Sequence, residues 1–292
     1  MDKQVTEVDE NIKTYSGLSL GEMTQRYHQD GFICPLSALS EAEALTLRED
    51  YEAAEFDLRD DPERLALLRA YPNRLLPSFD ALTRHETLVS AASAILGEDV
   101  LVWSAALFIK EANSPKIVSW HQDLTYWQLD NDAEVTCWFA VSEASKDAGC
   151  MKFVPQSHKT TILPHHDTYA ADNLLSRGQE IAVDVDEQSA VHAALHAGEA
   201  SLHHGLIFHS SGPNVTSDRR IGSAIRYISA SMKQNTGDRP MVTQVSGHHD
   251  FGNFIIAPPP QGRLLEEEFR RCAEDAILKL SLIHISEPTR PY

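Results

Sequence analysis

The stretch Trp120–Trp127, WHQDLTYW, sets a histidine and an aspartate two residues apart inside an aromatic, apolar run. In an extended segment residues two apart share a face, so His121 and Asp123 project together while Gln122 turns the other way. One imidazole and one carboxylate make an incomplete metal site. Downstream, LHHGLIFHSSGPN offers His203, His204 and His209 as the missing ligand. Two histidines and a carboxylate on one face of a metal form the triad of non-haem Fe(II) oxygenases, which leaves adjacent positions open; zinc accepts the same donors. An HxD tripeptide alone recurs by chance, and a histidine beside tryptophan is more often a packed, hydrogen-bonded residue. What lifts the pair above that background is its company: a distal histidine in an apolar run and an arginine in the next run.

Such side chains need a rigid frame, and the 292 residues, 42% hydrophobic, are enough to build one large core. The sequence predicts a mobile segment over 1–15, one catalytic domain over 16–280 and a non-native tail over 281–292, SLIHISEPTRPY, in which His284 has no role. From Ser19 to about Leu68 the pattern is helical, with capping boxes at Ser19/Glu22 and Ser40/Glu43 and a stop at Gly31; HETLVSAASAILG adds another amphipathic helix. Beyond it come short apolar or alternating runs: VLVWSAALFIK, VSWHQDLTYW, EVTCWFAVSEA, MKFVPQSHK, QEIAVDV, ASLHHGLIFHSSG and GSAIRYISASM. Their spacing suggests a β-sandwich or barrel, and helices before strands give an α+β protein, mainly β with a helical N-terminal layer. A net charge of −18 argues against nucleic acid or anionic membrane as partner. Four scattered cysteines without a CxxC pair suggest reduced thiols, and the absence of an apolar leader or span suggests a cytoplasmic protein, monomer or homodimer.

Three blocks in order, WHQDLTYW, GCMKFVPQSHK and HHGLIFHSSGPNVTSDRRIGSAIRY, resemble the phytanoyl-CoA dioxygenase family of Fe(II)/2-oxoglutarate-dependent oxygenases over roughly residues 31 to 260. The resemblance implies a double-stranded β-helix, a jelly-roll-like barrel, with His121, Asp123 and His209 as iron ligands. It implies Fe(II), 2-oxoglutarate and O2 as cofactor and co-substrates, and Arg220, eleven residues after His209, as the co-substrate's anchor. Charge supports the last point, because the far carboxylate of a buried dianion needs a bidentate cation. Arg226 is the fallback, Arg219 reads as a surface charge, Ser211 or Thr216 could add a hydroxyl, and Lys110 reads as a solvated edge lysine.

Trp127, Tyr126 and His204 are candidates for substrate contact, Trp127 as a face for an ammonium group. His203 and His204 lie well along the strand from the metal end, which makes them second-layer or substrate-contacting residues at best. Halogenating relatives replace the carboxylate ligand with a small residue, so the presence of Asp123 favours hydroxylation. The expected reaction is hydroxylation of an unactivated C–H bond in a small polar or zwitterionic metabolite, with release of succinate and CO2. An acyl-CoA or lipid-like substrate is the alternative. A zinc hydrolase or a redox-inactive metal-binding barrel would use the same three ligands but leave Arg220 without its dianion.

Overall fold

The computed structural model describes residues 18–170, 172–175, 179–248 and 251–285, with Tyr126, Gln179 and 280–285 described by their backbone alone. The segment expected to be mobile therefore lies outside the described residues, as do the 286–292 part of the expected tail and His249.

Helix α1 (Leu20–Asp30) and α2 (Glu41–Asp57) each begin at a reciprocal capping box, Ser19 with Glu22 and Ser40 with Glu43. Gly31 ends α1 in the left-handed region at φ 86°, where a Cβ would be disfavoured. The chain does not stay helical from there. It forms strand β1 (Phe32–Ser37), which pairs with β9 (Glu199–His203) at the edge of a sheet, a position that tolerates the missing N–H of Pro35. Helices α3 (Pro62–Ala70), α4 (Pro72–Leu75), α5 (Pro77–Thr83) and α6 (Glu86–Leu96) follow; the first three start on prolines, whose fixed φ suits a first turn.

The remaining strands are β2 (Val100–Lys110), β3 (Val118–His121), β4 (Glu134–Ala140), β5 (Met151–Phe153), β6 (His165–Asp167), β7 (Gln179–Ile181), β8 (Val191–Ala193), β10 (His209–Ser211), β11 (Arg220–Ser229), β12 (Met241–Ser246) and β13 (Ile255–Ile256), before the closing helix α7 (Glu266–Ile285). They build a seven-stranded sheet ordered β1-β9-β4-β11-β2-β12-β13 and a four-stranded sheet ordered β3-β10-β5-β8, with β6 and β7 paired apart. Among the described residues these are two separate sheets rather than one closed barrel.

Period-two alternation divides the large sheet's work between its faces. Val135, Cys137 and Phe139 of β4, with Ala105 and Leu107 of β2, join the helices' Met23, Tyr27, Leu47, Tyr51 and Phe79 in the main core. The alternate residues Thr136 and Trp138, with Phe108, Ala224 and Arg226, line a cavity whose other wall is Val118, His121, Met151 and His209 of the small sheet. Among the described residues no helix is long and apolar enough to cross a membrane.

Candidate metal centre and ligand cavity

The HxD pair is positioned differently from a simple strand. Strand β3 ends at His121, Gln122 is still extended, and Asp123 opens a single turn of 3-10 helix over Asp123–Tyr126. Gln122 does face away, but into the protein. It is fully buried, its amide donating to Leu206 O at 2.8 Å and accepting from Leu163 N at 2.9 Å. That clamp fixes the turn which aims Asp123 back toward His121.

The third ligand comes from a break in what the sequence suggested was one strand. ASLHHGLIFHSSG splits at residues 204–208 into β9 in the large sheet and β10 in the small one. His209 therefore pairs directly with His121 across β10 and β3, the two ring centroids 4.0 Å apart. His121, Asp123 and His209 are all buried and offer ligand atoms within 4.8 Å of one another. His121 Nδ1 lies 2.8 Å from Ser119 O and His209 Nδ1 3.0 Å from Ile207 O, so a carbonyl stands ready for each Nδ1–H and Nε2 is the ring nitrogen on the Asp123 side. Nε2 to Oδ1 distances are 3.4 Å and 3.8 Å.

Electrostatics keep the donors in ligand form. Burial, reinforced by His121, pushes the His209 imidazole down to about 3. Burial alone would raise Asp123, but the two imidazoles and Arg226 outweigh it and hold the carboxyl well below its usual range. Glu134, buried beside Asp123, is driven well above the usual carboxyl range by burial and then by Asp123's charge. The Thr136 hydroxyl lies 2.6 Å from Glu134 Oε1 and 3.2 Å from Asp123 Oδ2. A protonated Glu134 can donate to Thr136, which donates in turn to Asp123.

Farther along the cavity stands Arg220 of β11, whose register partner on β2 is Lys110; the two are 1% and 0% exposed. Lys110 is not solvated, contrary to the expectation: its amine donates to Ser211 Oγ at 2.6 Å and to Gly212 O. Arg220 donates to Gly149 O at 2.6 Å and holds its guanidinium 5.0 Å from the Trp138 ring centroid. The indole fits because Gly222 has no side chain; a Cβ there would stand 1.9 Å from Trp138 Cζ2. Neither cation makes an ion pair among the described residues. Burial, then Arg220's charge, brings Lys110 down to about 6, and burial brings Arg220 down to about 10. A buried guanidinium with a desolvated amine beside it, and no anion on either among the described residues, forms a receptor for a carboxylate.

Several expected contacts are not where the sequence placed them. His203, read as remote, is in the cavity with its ring 4.8 Å from His209, because the chain reverses between them. His204 turns out of the cavity toward Asp132 and the rings of Tyr27 and His158. Trp127 stacks on Trp103 at 5.1 Å and carries the Arg226 guanidinium 5.2 Å from its centroid, so its face already holds a cation and is no ammonium site. The Tyr126 side chain lies outside the described residues. Arg219 pairs with Glu55 and Glu111, and Thr216 satisfies Asn214 in a turn. The sequence reading missed Trp138 and Thr136; the polar positions alternating through EVTCWFA were the available signal.

Two imidazoles and a carboxylate between two β-sheets, with coordination positions left open, is the build of the non-haem iron oxygenases. The chain belongs to the phytanoyl-CoA dioxygenase (PhyH) family, whose sequence pattern matches residues 27–222. It is 28% identical over 192 residues to a probable alpha-ketoglutarate-dependent hypophosphite dioxygenase of Stutzerimonas stutzeri, covering 64% of this chain and 66% of that one. It is 29% identical over 139 residues to the peroxisomal phytanoyl-CoA dioxygenase of Homo sapiens, covering 46% and 41%. The chain thus spans less than two thirds of either relative's length. Among solved structures, a non-heme monooxygenase, ThoJ in its apo form, superposes with a TM-score of 0.81 at 30% identity, covering 90% of this chain and 98% of that one.

Proposed function

We propose that the protein is an Fe(II)- and 2-oxoglutarate-dependent oxygenase that hydroxylates a C–H bond of a small polar metabolite, and that its two sheets are the walls of a double-stranded β-helix. The observation that carries this reading is the pairing of two features: three buried ligand atoms within 4.8 Å of one another, and, on the wall of the same cavity, the buried Arg220 with Lys110 as its register partner and no anion on either among the described residues. A zinc hydrolase or a redox-inactive metal site would use the first and leave the second unexplained. In this reading His121, Asp123 and His209 hold iron, and Arg220 with Lys110 and Ser211 receives the far carboxylate of 2-oxoglutarate. Iron and 2-oxoglutarate, when bound, supply the activation of dioxygen, with succinate and CO2 as by-products.

The chain's own residues bind, orient and exclude water. Ser119 O and Ile207 O fix the tautomers of the two imidazoles; Thr136 and Glu134 fix the Asp123 rotamer. The Trp138 indole supports the Arg220 guanidinium and closes the cavity floor. The space between the sheets, about 420 Å³ counted out to its open mouth, brings the ligand cluster and Arg220 into one cavity. The similarity to a hypophosphite dioxygenase supports a small polar substrate, and that to phytanoyl-CoA dioxygenase keeps an acyl-CoA as the second reading.

The test is anaerobic addition of Fe(II) and 2-oxoglutarate, followed by the visible metal-to-ligand charge-transfer band. The expected result is a saturable band, with succinate formed once air and a substrate are admitted. A protein that binds zinc but shows no band with iron and 2-oxoglutarate would favour the hydrolase.

A further inference from the structure

Arg226 of β11, Thr136 of β4 and His203 of β9 stand in one register row across three neighbouring strands of the large sheet, and all three line the cavity. Two members of that row are incomplete. His203 is 1% exposed and neither ring nitrogen has a hydrogen-bond partner among the described residues; its Nε2 stops 3.9 Å from Asp123 Oδ2. A neutral imidazole always carries one N–H, so a buried donor is left waiting for an oxygen. Arg226 Nε is likewise buried without a partner, and its guanidinium makes no ion pair among the described residues. It rests instead against aromatic faces, 5.2 Å from the centroid of Trp127 and 5.8 Å from that of Phe108.

Position separates this pair from the co-substrate anchor. Arg226 is six residues along β11 from Arg220, on the order of 20 Å of strand, and belongs to the end of the cavity where Asp123 sits. Charge gives its ligand a sign. A guanidinium on the cavity wall that has aromatic faces but no ion-pair partner among the described residues is completed by an anion.

We propose that Arg226 and His203 form the head-group site of the primary substrate, and that this substrate carries a compact anionic oxyanion group beside the C–H bond to be oxidised. The proposal rests on the iron and 2-oxoglutarate reading of the site and narrows its substrate class from polar to anionic. A zwitterion would have to keep its ammonium group elsewhere, since the Trp127 face is taken by Arg226.

The experiment uses the full chain loaded anaerobically with Fe(II) and saturating 2-oxoglutarate, with propionate and propionamide as probes of one shape and different charge. Propionate should perturb the charge-transfer band saturably, and propionamide should bind on the order of 10–100-fold more weakly. Arg226→Met should reduce propionate to the level of propionamide while the band stays, and Arg226→Lys should restore part of the preference. Equal binding of the two probes, or a propionate response that survives Arg226→Met, would overturn the proposal. Loss of the band itself in Arg226→Met would do so too, by giving the arginine to 2-oxoglutarate. If Arg226→Met does not fold, His203→Leu decides: weaker propionate binding with an intact band supports the head-group site, and unchanged binding overturns it. No band in the unaltered protein would overturn both readings, which keeps the two failures apart.

Discussion

Beneath α7 the fold buries charge in complementary pairs, Arg74 with Glu268 at 3.0 Å and Lys279 with Asp275 at 2.7 Å, whereas Arg220 and Arg226 on the cavity wall, and Lys110 paired in register with Arg220, have no carboxylate in ion-pair reach among the described residues. The α7 cluster is finished by the chain itself. Asp275 also accepts from Met241 N at 2.7 Å and Lys279 donates to Trp103 O at 3.1 Å, so the charges fasten the last helix to β12 and β2. Among the described residues, Lys110, Arg220 and Arg226 meet carbonyls, a hydroxyl and aromatic faces. A buried charge without a counter-ion weakens the fold, so its persistence marks a place that a ligand completes. Similar burial therefore serves stability in one region and binding in the other.

The largest expected effect lies at the three-ligand cluster. His209→Ala or His121→Ala removes one of three donors and should abolish metal retention and oxygenation while the helices and the main core persist. Iron content after dialysis, set beside the unfolding midpoint, checks this. Retention of iron by His209→Ala would mean that His203, whose ring is 4.8 Å away, can take its place.

Next in size come two matched truncations, one in each charge cluster. Glu268→Ala strands Arg74 in a buried setting and should cost about 3–5 kcal/mol of stability with no change in co-substrate affinity. Arg220→Ala should do the reverse. The unliganded fold loses an unpaired charge and is no less stable, while the dissociation constant of 2-oxoglutarate rises by roughly two to three orders of magnitude. Chemical denaturation and a charge-transfer titration of both variants give all four numbers. A loss of stability in Arg220→Ala comparable to that in Glu268→Ala would erase the distinction between the regions.

Much of this was legible in the sequence because local chemistry announces it. Both capping boxes, the αL glycine at Gly31 and the long β2 and β11 runs are short-range signals, and the structure has each of them. What was not legible depends on where the chain reverses. A break at residues 204–208 inside an unbroken apolar run moves His203 from remote to adjacent, and no residue there is a strong turn former except Gly205. Strand β1 was hidden for a related reason: six residues between two capped helices give too short a period to read, and their pairing partner lies far along the chain. Lys110 was misjudged because its burial comes from β11 and the Gly212 turn covering it, which no pattern around residue 110 encodes.

A smaller effect tests how the cavity floor supports the unpaired arginine. Gly222→Ala puts a methyl group where the Trp138 indole lies, and the ring, 5% exposed within a buried hydrophobic cluster, has little room to yield. Overpacking of this kind costs about 1–3 kcal/mol. Because the Arg220 guanidinium rests over that indole, 2-oxoglutarate affinity should fall along with stability, whereas Glu268→Ala should leave affinity untouched. A stability loss without any change in affinity would show that the carbonyls of Gly149 and Phe108 hold Arg220 without help from the indole.

The smallest effect is a proton. Burial and then the charge of Arg220 bring Lys110 from its ordinary 10.5 to about 6, so the unliganded protein carries it as a neutral amine above that pH. Between about pH 6 and 10.5 the unfolded chain therefore binds more protons here than the folded one, and the stability of the unliganded protein should rise with pH across that window. Binding reverses the sign. A carboxylate seated between Lys110 and Arg220 favours the ammonium form, so 2-oxoglutarate should bring a proton with it and bind more weakly as the pH climbs above about 6. Calorimetric titration of the anaerobic iron protein at about pH 8, in two buffers of different ionisation enthalpy, would show uptake of a fraction of a proton as unequal heats. Lys110→Met should make the heats equal while keeping most of the affinity that Arg220 confers. Equal heats in the unaltered protein would mean that Lys110 stays neutral against the ligand, serving Ser211 and Gly212 as a hydrogen-bond donor, and that the anion rests on Arg220 alone.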